Sequence, residues 1–433
     1  MEIKKAHFVG IGGIGMSALA QMLAGQGVVV SGSDRSAGPV TELLEEKGIR
    51  VQIGHAAENV PTDADVVVYS DAVPEGNPER ARARELEIRQ LSYFCMLGEV
   101  SKGLPAGQAG KKTIAVAGTH GKTTTTGMLG KILIDAGVSP TVVVGSIVKD
   151  FNSNFVQGDS DIFVVEACEY RDHLLELSPE ILVINNLEWD HTDWFASLAA
   201  VQATFQKAIE RVPANGVIVT DVQNPNIAPL LKAARARVVD YTSEPAYELR
   251  LLGEFNQMNA RAAAAAARIV LPTLSSDAIA ASLATFQGTW RRFDYKGKNK
   301  NGADVYDDYA HHPTAVRETL RAAREKTKGK LLVAFHPHLY SRTRDLLDGF
   351  ATAFVEADMA IIAPIYAARE VDDGTVSSQI LADRINDNGG HAVALPTFEA
   401  IEQALALAGP GDLVITMGAG DIYKVADKLV AKS

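Results

Sequence analysis

Gly118-Thr119-His120-Gly121-Lys122-Thr123-Thr124 sets a lysine and two hydroxyls directly behind a glycine turn. The apolar run Thr113 to Ala117 precedes it, and Met128, Leu129, Ile132 and Leu133 follow at helical spacing. Backbone N–H groups of such a turn and the open N-terminus of the helix form an anion cradle. Lys122 adds a point charge, and Thr123 a hydroxyl suited to Mg²⁺, so a nucleoside triphosphate fits. The eight-residue pattern wants glycine where Val116 stands, so the match is to the shorter variant G-x-x-G-K-T-T. The alternative is a glycine turn without a ligand.

Two further apolar runs, Ile162 to Val165 and Ile181 to Ile184, end in Glu166-Ala167-Cys168-Glu169 and in Asn185-Asn186-Leu187-Glu188-Trp189-Asp190-His191. Ligands of open parallel sheets bind beyond the carboxyl ends of the strands, so the three clusters are expected to converge. Glu166 is a hard oxygen donor for a metal beside the phosphates, and a neutral His191 an acceptable second ligand. The competing reading of His191 is a satisfied buried histidine. Glu169 and Asp190 read as helpers or as caps.

Asp307-Asp308-Tyr309 followed by His311-His312-Pro313 is a second polar concentration, and Arg342 with Arg344 a third. Guanidinium groups bind carboxylate or phosphate bidentately, which suits an anionic substrate or an acyl phosphate. Surface ion pairs with Asp345 or Asp348 are the plainer reading of the arginines. Near the N-terminus, Gly10-Ile11-Gly12-Gly13-Ile14-Gly15 fits the G-x-G-x-x-G fingerprint, with Asp34 nineteen residues on as the ribose-binding acid. Read alone, that loop suggests NAD and an oxidoreductase. Its physical content is that a diphosphate, including that of a UDP-sugar, can approach a Cβ-free turn.

These residues need α/β elements to hold them. His7 to Gly10, Met16 to Leu23, Val28 to Val30 and Val66 to Tyr69, with helices at 41–47 and 78–86, outline a first domain, 1–107. Residues 108–288 form a central nucleotide domain, in which Ala262 to Ala267 reads as a close-packed helix. Runs at Leu331 to Phe335, Ala360 to Ala363, Ala392 to Leu395 and Leu413 to Thr416 alternate with helices in a third domain, 289–433. The boundaries fall at Gln287-Gly288-Thr289 and near residue 107.

The 433-residue length suits about three domains. A net charge of -11 without a long Lys/Arg block argues against nucleic acid. Lys296, Lys298 and Lys300 read as a solvated hairpin tip. Only Cys95 and Cys168 occur, without zinc or disulfide spacing, which suits a reducing cytoplasm. No apolar stretch is long enough to span a bilayer, and four glycines interrupt the N-terminal apolar segment.

The blocks G-T-H-G-K-T-T at 118–124, D-D-Y-A-H-H-P at 307–313 and H-P-H-L-Y-S-R-T-R-D-L at 336–346 resemble those of the Mur ligases of peptidoglycan synthesis. G-I-G-G-I-G-M-S at 10–17, E-A-C-E-Y at 166–170, D-H-T-D at 190–193, R-R-F-D at 291–294 and I-Y-A-A-R-E at 365–370 extend the likeness along nearly the whole chain, in family order. The resemblance implies a Rossmann-like UDP-binding domain, a central P-loop ATPase domain with a mostly parallel sheet, and a Rossmann-like C-terminal domain.

It implies ATP-dependent joining of L-alanine to UDP-N-acetylmuramate through an acyl phosphate, with two Mg²⁺ ions. UDP-sugar contacts are implied for Gly10, Gly12, Gly13, Gly15, Met16, Ser17, Asp34 and Ser70. ATP contacts are implied for Gly118 to Thr124, Asn256, Asn259, Arg292 with Arg291, and Asp308. Thr123, Glu166 and His191 are the implied metal ligands. Tyr309, His311, Arg342 and Arg344 serve the amino acid and the acyl phosphate; Lys122, His191, His311 and Arg342 are the catalytic set. Phe255 and Leu339 depart from the family pattern, where histidine and arginine are frequent, and Lys207 is not assigned a carbamylated role.

Competing functions are a ligase that recycles a preformed tripeptide onto the same sugar nucleotide, an NAD-linked oxidoreductase, and a nucleotide switch, for which no N-K-x-D block exists. A monomer or weak homodimer in the cytoplasm, binding neither nucleic acid nor membrane, is expected.

Overall fold

The computed structural model describes residues 3–103 and 111–431; the boundary expected near residue 107 lies outside them. Three sheets carry the chain, and their strands fall in two compact units.

The first unit comprises residues 1–187, 202–248 and 259–286, and holds two sheets. In one, β1 (Lys5–Val9), β2 (Val29–Asp34), β3 (Arg50–Ile53), β4 (Val66–Tyr69) and β5 (Arg89–Ser92) lie in the order 3-2-1-4-5. All pairs are parallel, and Phe8, Val9, Val67 and Val68 are fully buried, as strands covered on both faces must be. The chain reverses its strand order at β1, so the glycine loop after β1 sits at a topological switch point, where ligands of such sheets bind.

The other sheet has β6 (Lys112–Ala117), β7 (Thr141–Val148), β8 (Ser153–Val156), β9 (Ile162–Glu166), β10 (Ile181–Ile184), β11 (Val217–Thr220) and β12 (Arg237–Asp240), ordered 12-11-10-6-9-7-8. β6 lies between β9 and β10 in parallel register, with Val116 beside Glu166 and Ala117 beside Ile184. That register brings Gly118, Glu166 and Asn185 to one edge. β8 runs antiparallel to β7 at the rim. The alanine run lies in the helix Glu254–Val270, where Ala262, Ala263, Ala264, Ala266 and Ala267 are fully buried.

The second unit comprises residues 188–201, 249–258 and 287–433. Its sheet orders β13 (Asp294–Lys298), β14 (Asp304–Asp308), β15 (Leu331–Phe335), β16 (Met359–Ile362), β17 (Ala392–Ala394) and β18 (Leu413–Met417) as 13-14-18-15-16-17. Only the β13–β14 hairpin is antiparallel, and there Lys296 and Lys298 pair with Asp427 (2.7 Å) and Asp304 (2.8 Å). Phe335, Phe350 and Phe354 fill the core on one face of this sheet. Cys95 and Cys168 are free thiols, and no described helix is long and apolar enough to cross a membrane.

Candidate active site

The helix Lys122–Asp135 opens at Gly121, whose φ of 79° is left-handed. A Cβ there would also strike the Asn259 amide, so glycine is required on both counts. Residues just beyond β10 clamp the turn. Asn186 accepts the Thr119 N–H through its carbonyl (3.2 Å) and the His120 N–H through Oδ1 (2.8 Å). The side-chain amides of Asn185 and Asn186 donate back to the His120 carbonyl at 3.3 and 3.2 Å.

Lys122 Nζ lies inside the loop, donating to the Gly118 carbonyl (2.5 Å), the Thr119 carbonyl (3.1 Å) and both Glu169 oxygens (2.9 and 3.1 Å). Burial works against its charge, but Glu169, then Cys168, hold its pKa above the ordinary lysine value. Glu169 is therefore the counter-ion of Lys122. Thr123 Oγ1 donates to Glu166 Oε1 (3.0 Å), whose other oxygen accepts the Gly145 N–H (2.7 Å). A hydroxyl and a carboxylate in contact are the hard oxygen set that Mg²⁺ takes. Thr124 is buried behind the loop, and Asn259 Oδ1 accepts the Thr125 hydroxyl at 3.2 Å.

The first glycine loop is built otherwise. Its Gly10 and Ile11 N–H groups donate to the Ser33 carbonyl (2.8 and 2.9 Å), and Gly12 N–H donates to Asp34 Oδ2 (2.8 Å). Asp34, expected to meet a ribose, is thus a brace of the turn. Beneath lies Glu79, fully buried, which accepts from His7, Ser33, His55, Asn59 and the Ala56 N–H. Met16 is buried, and Ser17 is buried with its hydroxyl donated to the Ile14 carbonyl (2.9 Å). Ser70 packs against Gly10, while Gly13 caps the helix Ile14–Gly25 and Gly15 lies in its first turn.

In the second unit Arg342 and Asp190 form a buried pair, Nε to Oδ1 at 2.7 Å. Burial opposes ionisation of Asp190, but Arg342, then His191 and His311, hold its carboxyl well below the usual range. Arg342 NH1 also donates to His338 Nδ1 (3.0 Å). His311 Nδ1 lies 2.9 Å from the Tyr309 carbonyl, which can only accept. Nδ1 therefore carries the proton, and Nε2, 3.9 Å from Asp190 Oδ2, keeps its lone pair. Burial, then Arg342, pushes the His311 pKa well down and keeps the ring neutral.

His191 has a φ of 51° and donates its N–H to Asp190 Oδ1 (2.7 Å); its carbonyl accepts from Trp194 and Phe195. Arg292 lies over the Tyr309 ring at 4.8 Å. Asp308 accepts the Phe293 and Ala310 N–H groups, both at 2.7 Å. Asn256 donates to the Leu252 carbonyl at 2.7 Å.

Two arginines are corrected. Arg291 binds Asp307 and the Gly418 and Gly420 carbonyls through all three guanidinium nitrogens, so it ties strands together and is not free for a nucleotide. Arg344, two residues from Arg342 and so on the other side of the short helix Tyr340–Asp345, pairs with Asp345 (2.9 Å) and Asp373 (3.2 Å) at the surface. The Asn185–Asn186 clamp was not foreseen as such. Its signal was a pair of amides directly after a buried strand of the nucleotide sheet.

Fold and site together define a three-domain α/β protein that carries a phosphate loop in its first unit. The chain belongs to the Mur ligase family. Residues 5–103 match the model described as Mur ligase family, catalytic domain; 116–248 match the Mur ligase middle domain, and 291–420 the Mur ligase glutamate ligase domain. It is 39% identical over 457 residues to the UDP-N-acetylmuramate–L-alanine ligase of Acetivibrio thermocellus, covering 98% of this chain and 95% of that protein. It is 38% identical over 458 residues to that of Clostridium acetobutylicum, covering 99% and 98%. Among solved structures, a UDP-N-acetylmuramate-alanine ligase from Thermotoga maritima superposes with a TM-score of 0.79 at 27% identity, over 99% of this chain and 98% of that one. A murein peptide ligase from Psychrobacter arcticus, at 24% identity, shares the fold with a TM-score of 0.70 over 99% and 98%.

Proposed function

We propose that the protein joins L-alanine to UDP-N-acetylmuramate at the expense of ATP, giving ADP and phosphate in the synthesis of peptidoglycan precursors. The observation that carries this is the wiring of the phosphate loop, with Lys122 on Glu169 and Thr123 on Glu166, in a chain matched almost end to end by L-alanine ligases.

A free carboxylate does not form an amide because oxide is a poor leaving group. Phosphorylation of the lactyl carboxylate by the γ-phosphate of ATP gives an acyl phosphate; attack by the L-alanine amine then expels phosphate. Lys122 and the loop N–H groups hold the phosphates and offset charge that develops during transfer. Thr123 and Glu166 would hold Mg²⁺, which supplies charge neutralisation at the phosphates, and His191 is the candidate nitrogen ligand for a second ion. Arg342, fixed by Asp190 through Nε and by His338 through NH1, offers its remaining nitrogen, NH2, to the amino-acid carboxylate. His311 Nε2 is the acceptor for the proton that the attacking ammonium loses. Asn259, Arg292 and Asp308 serve the nucleotide side, and the first glycine loop takes the UDP diphosphate.

Phosphate release with ATP and UDP-N-acetylmuramate, measured with L-alanine, L-serine, glycine and a murein tripeptide, tests the reading. Release that depends on L-alanine supports it. Release only with the tripeptide, or with no amino acid, overturns it.

A further inference from the structure

Tyr93 stands in the first unit where the two glycine-loop sheets meet. Its ring lies against Gly15 so closely that a Cβ there would stand 2.7 Å from Cζ and 2.9 Å from the hydroxyl oxygen. Its electrostatic neighbours include Glu166, the last residue of β9, and Cys168 just after it. Burial first, then those two groups, pushes its pKa up, so the phenol stays a protonated donor.

Its surroundings are fixed. Tyr93 meets Phe94 edge-on at 4.7 Å, Phe94 stacks on His173 at 3.8 Å, and His173 Nε2 pairs with Asp71 at 3.1 Å. Asn154 ties the β7–β8 hairpin to the glycine loop through the Ile14 carbonyl (2.6 Å). Among the described residues the Tyr93 hydroxyl makes no hydrogen bond, and the residue is half-buried rather than sealed in the core, so the donor can be reached by a ligand. A held ring with an unspent donor, against the helix start that follows the diphosphate turn and within electrostatic reach of a metal-type carboxylate, is placed for a ligand.

We propose that the Tyr93 hydroxyl is a binding group for the sugar nucleotide, donating a hydrogen bond where its diphosphate meets the hexose and so directing the lactyl carboxylate toward Thr123 and Glu166. The inference rests on the ligase reading above for the identity of that ligand.

Tyr93→Phe keeps the ring and removes only the donor. Its KM for UDP-N-acetylmuramate is expected to rise about tenfold, the worth of one hydrogen bond to a charged group. KM for ATP and for L-alanine and the melting temperature should stay within error of the parent. A KM for the sugar nucleotide within twofold of the parent overturns the inference, as does an equal rise in KM for ATP. Calorimetric titration of both proteins with UDP-N-acetylmuramate, without turnover, reads the same loss. Failure of the parent to release phosphate with L-alanine therefore sinks the functional reading alone, and equal affinity of the two proteins sinks the role of Tyr93 alone.

Discussion

The two glycine loops share one backbone plan, a buried parallel strand, a glycine turn and a helix, and differ in what surrounds the turn. The loop after β1 is braced from below by acids, with Asp34 on Gly12 and Glu79 behind Ser33, and among the described residues no lysine or arginine is bonded into its turn. The loop after β6 encloses a lysine, is clamped by Asn185 and Asn186, and presents Thr123 to Glu166. A glycine turn alone fixes only that an anion can come close. The groups around it decide between holding a diphosphate and transferring a phosphoryl group.

Substitutions separate the two loops. Lys122→Ala is expected to lower kcat by about 10³-fold or more, because charge on the transferred group goes unmet, while affinity for UDP-N-acetylmuramate stays within twofold. Single-turnover ADP formation and calorimetry measure the two sides; loss of both affinities together would mean that the loops are not independent. Asp34→Ala should do the converse, raising KM for the sugar nucleotide about tenfold through a loosened Gly12 turn, with KM for ATP unchanged. The smallest effect is expected for Arg344→Ala, which removes only surface ion pairs worth about 0–1 kcal/mol. Its kcat/KM for all three substrates should remain within twofold, and a larger fall would return Arg344 to the substrate.

Much of this arrangement was legible in the residues. The runs at 113–117, 162–165, 181–184 and 331–335 read as strands because continuous Val, Ile and Leu mark parallel strands buried on both faces, and they are β6, β9, β10 and β15 within a residue or two. The β7–β8 hairpin escaped notice because Gly145 and Ser146 interrupt its apolar pattern and its rim is partly exposed. Motif chemistry placed Lys122, Thr123 and Glu166 correctly as neighbours, since adjacent parallel strands end together. Pairings set by tertiary register were not legible: Lys122 with Glu169, Asn186 with His120, and Arg342 with Asp190 join residues 47, 66 and 152 positions apart. The spacing of Arg342 and Arg344 suggested a shared clamp only until a helical turn sent them to opposite sides.

The lysine that carries its own carboxylate has a consequence for product release. A lone orthophosphate arriving at the turn would only exchange one acid partner for another, with desolvation to bear as well, and so gains little by lodging there. A polyanion that spans several N–H groups at once gains enough to displace Glu169. The turn should therefore discriminate by chain length of the phosphate, and accumulating orthophosphate should be a weak competitor of ATP.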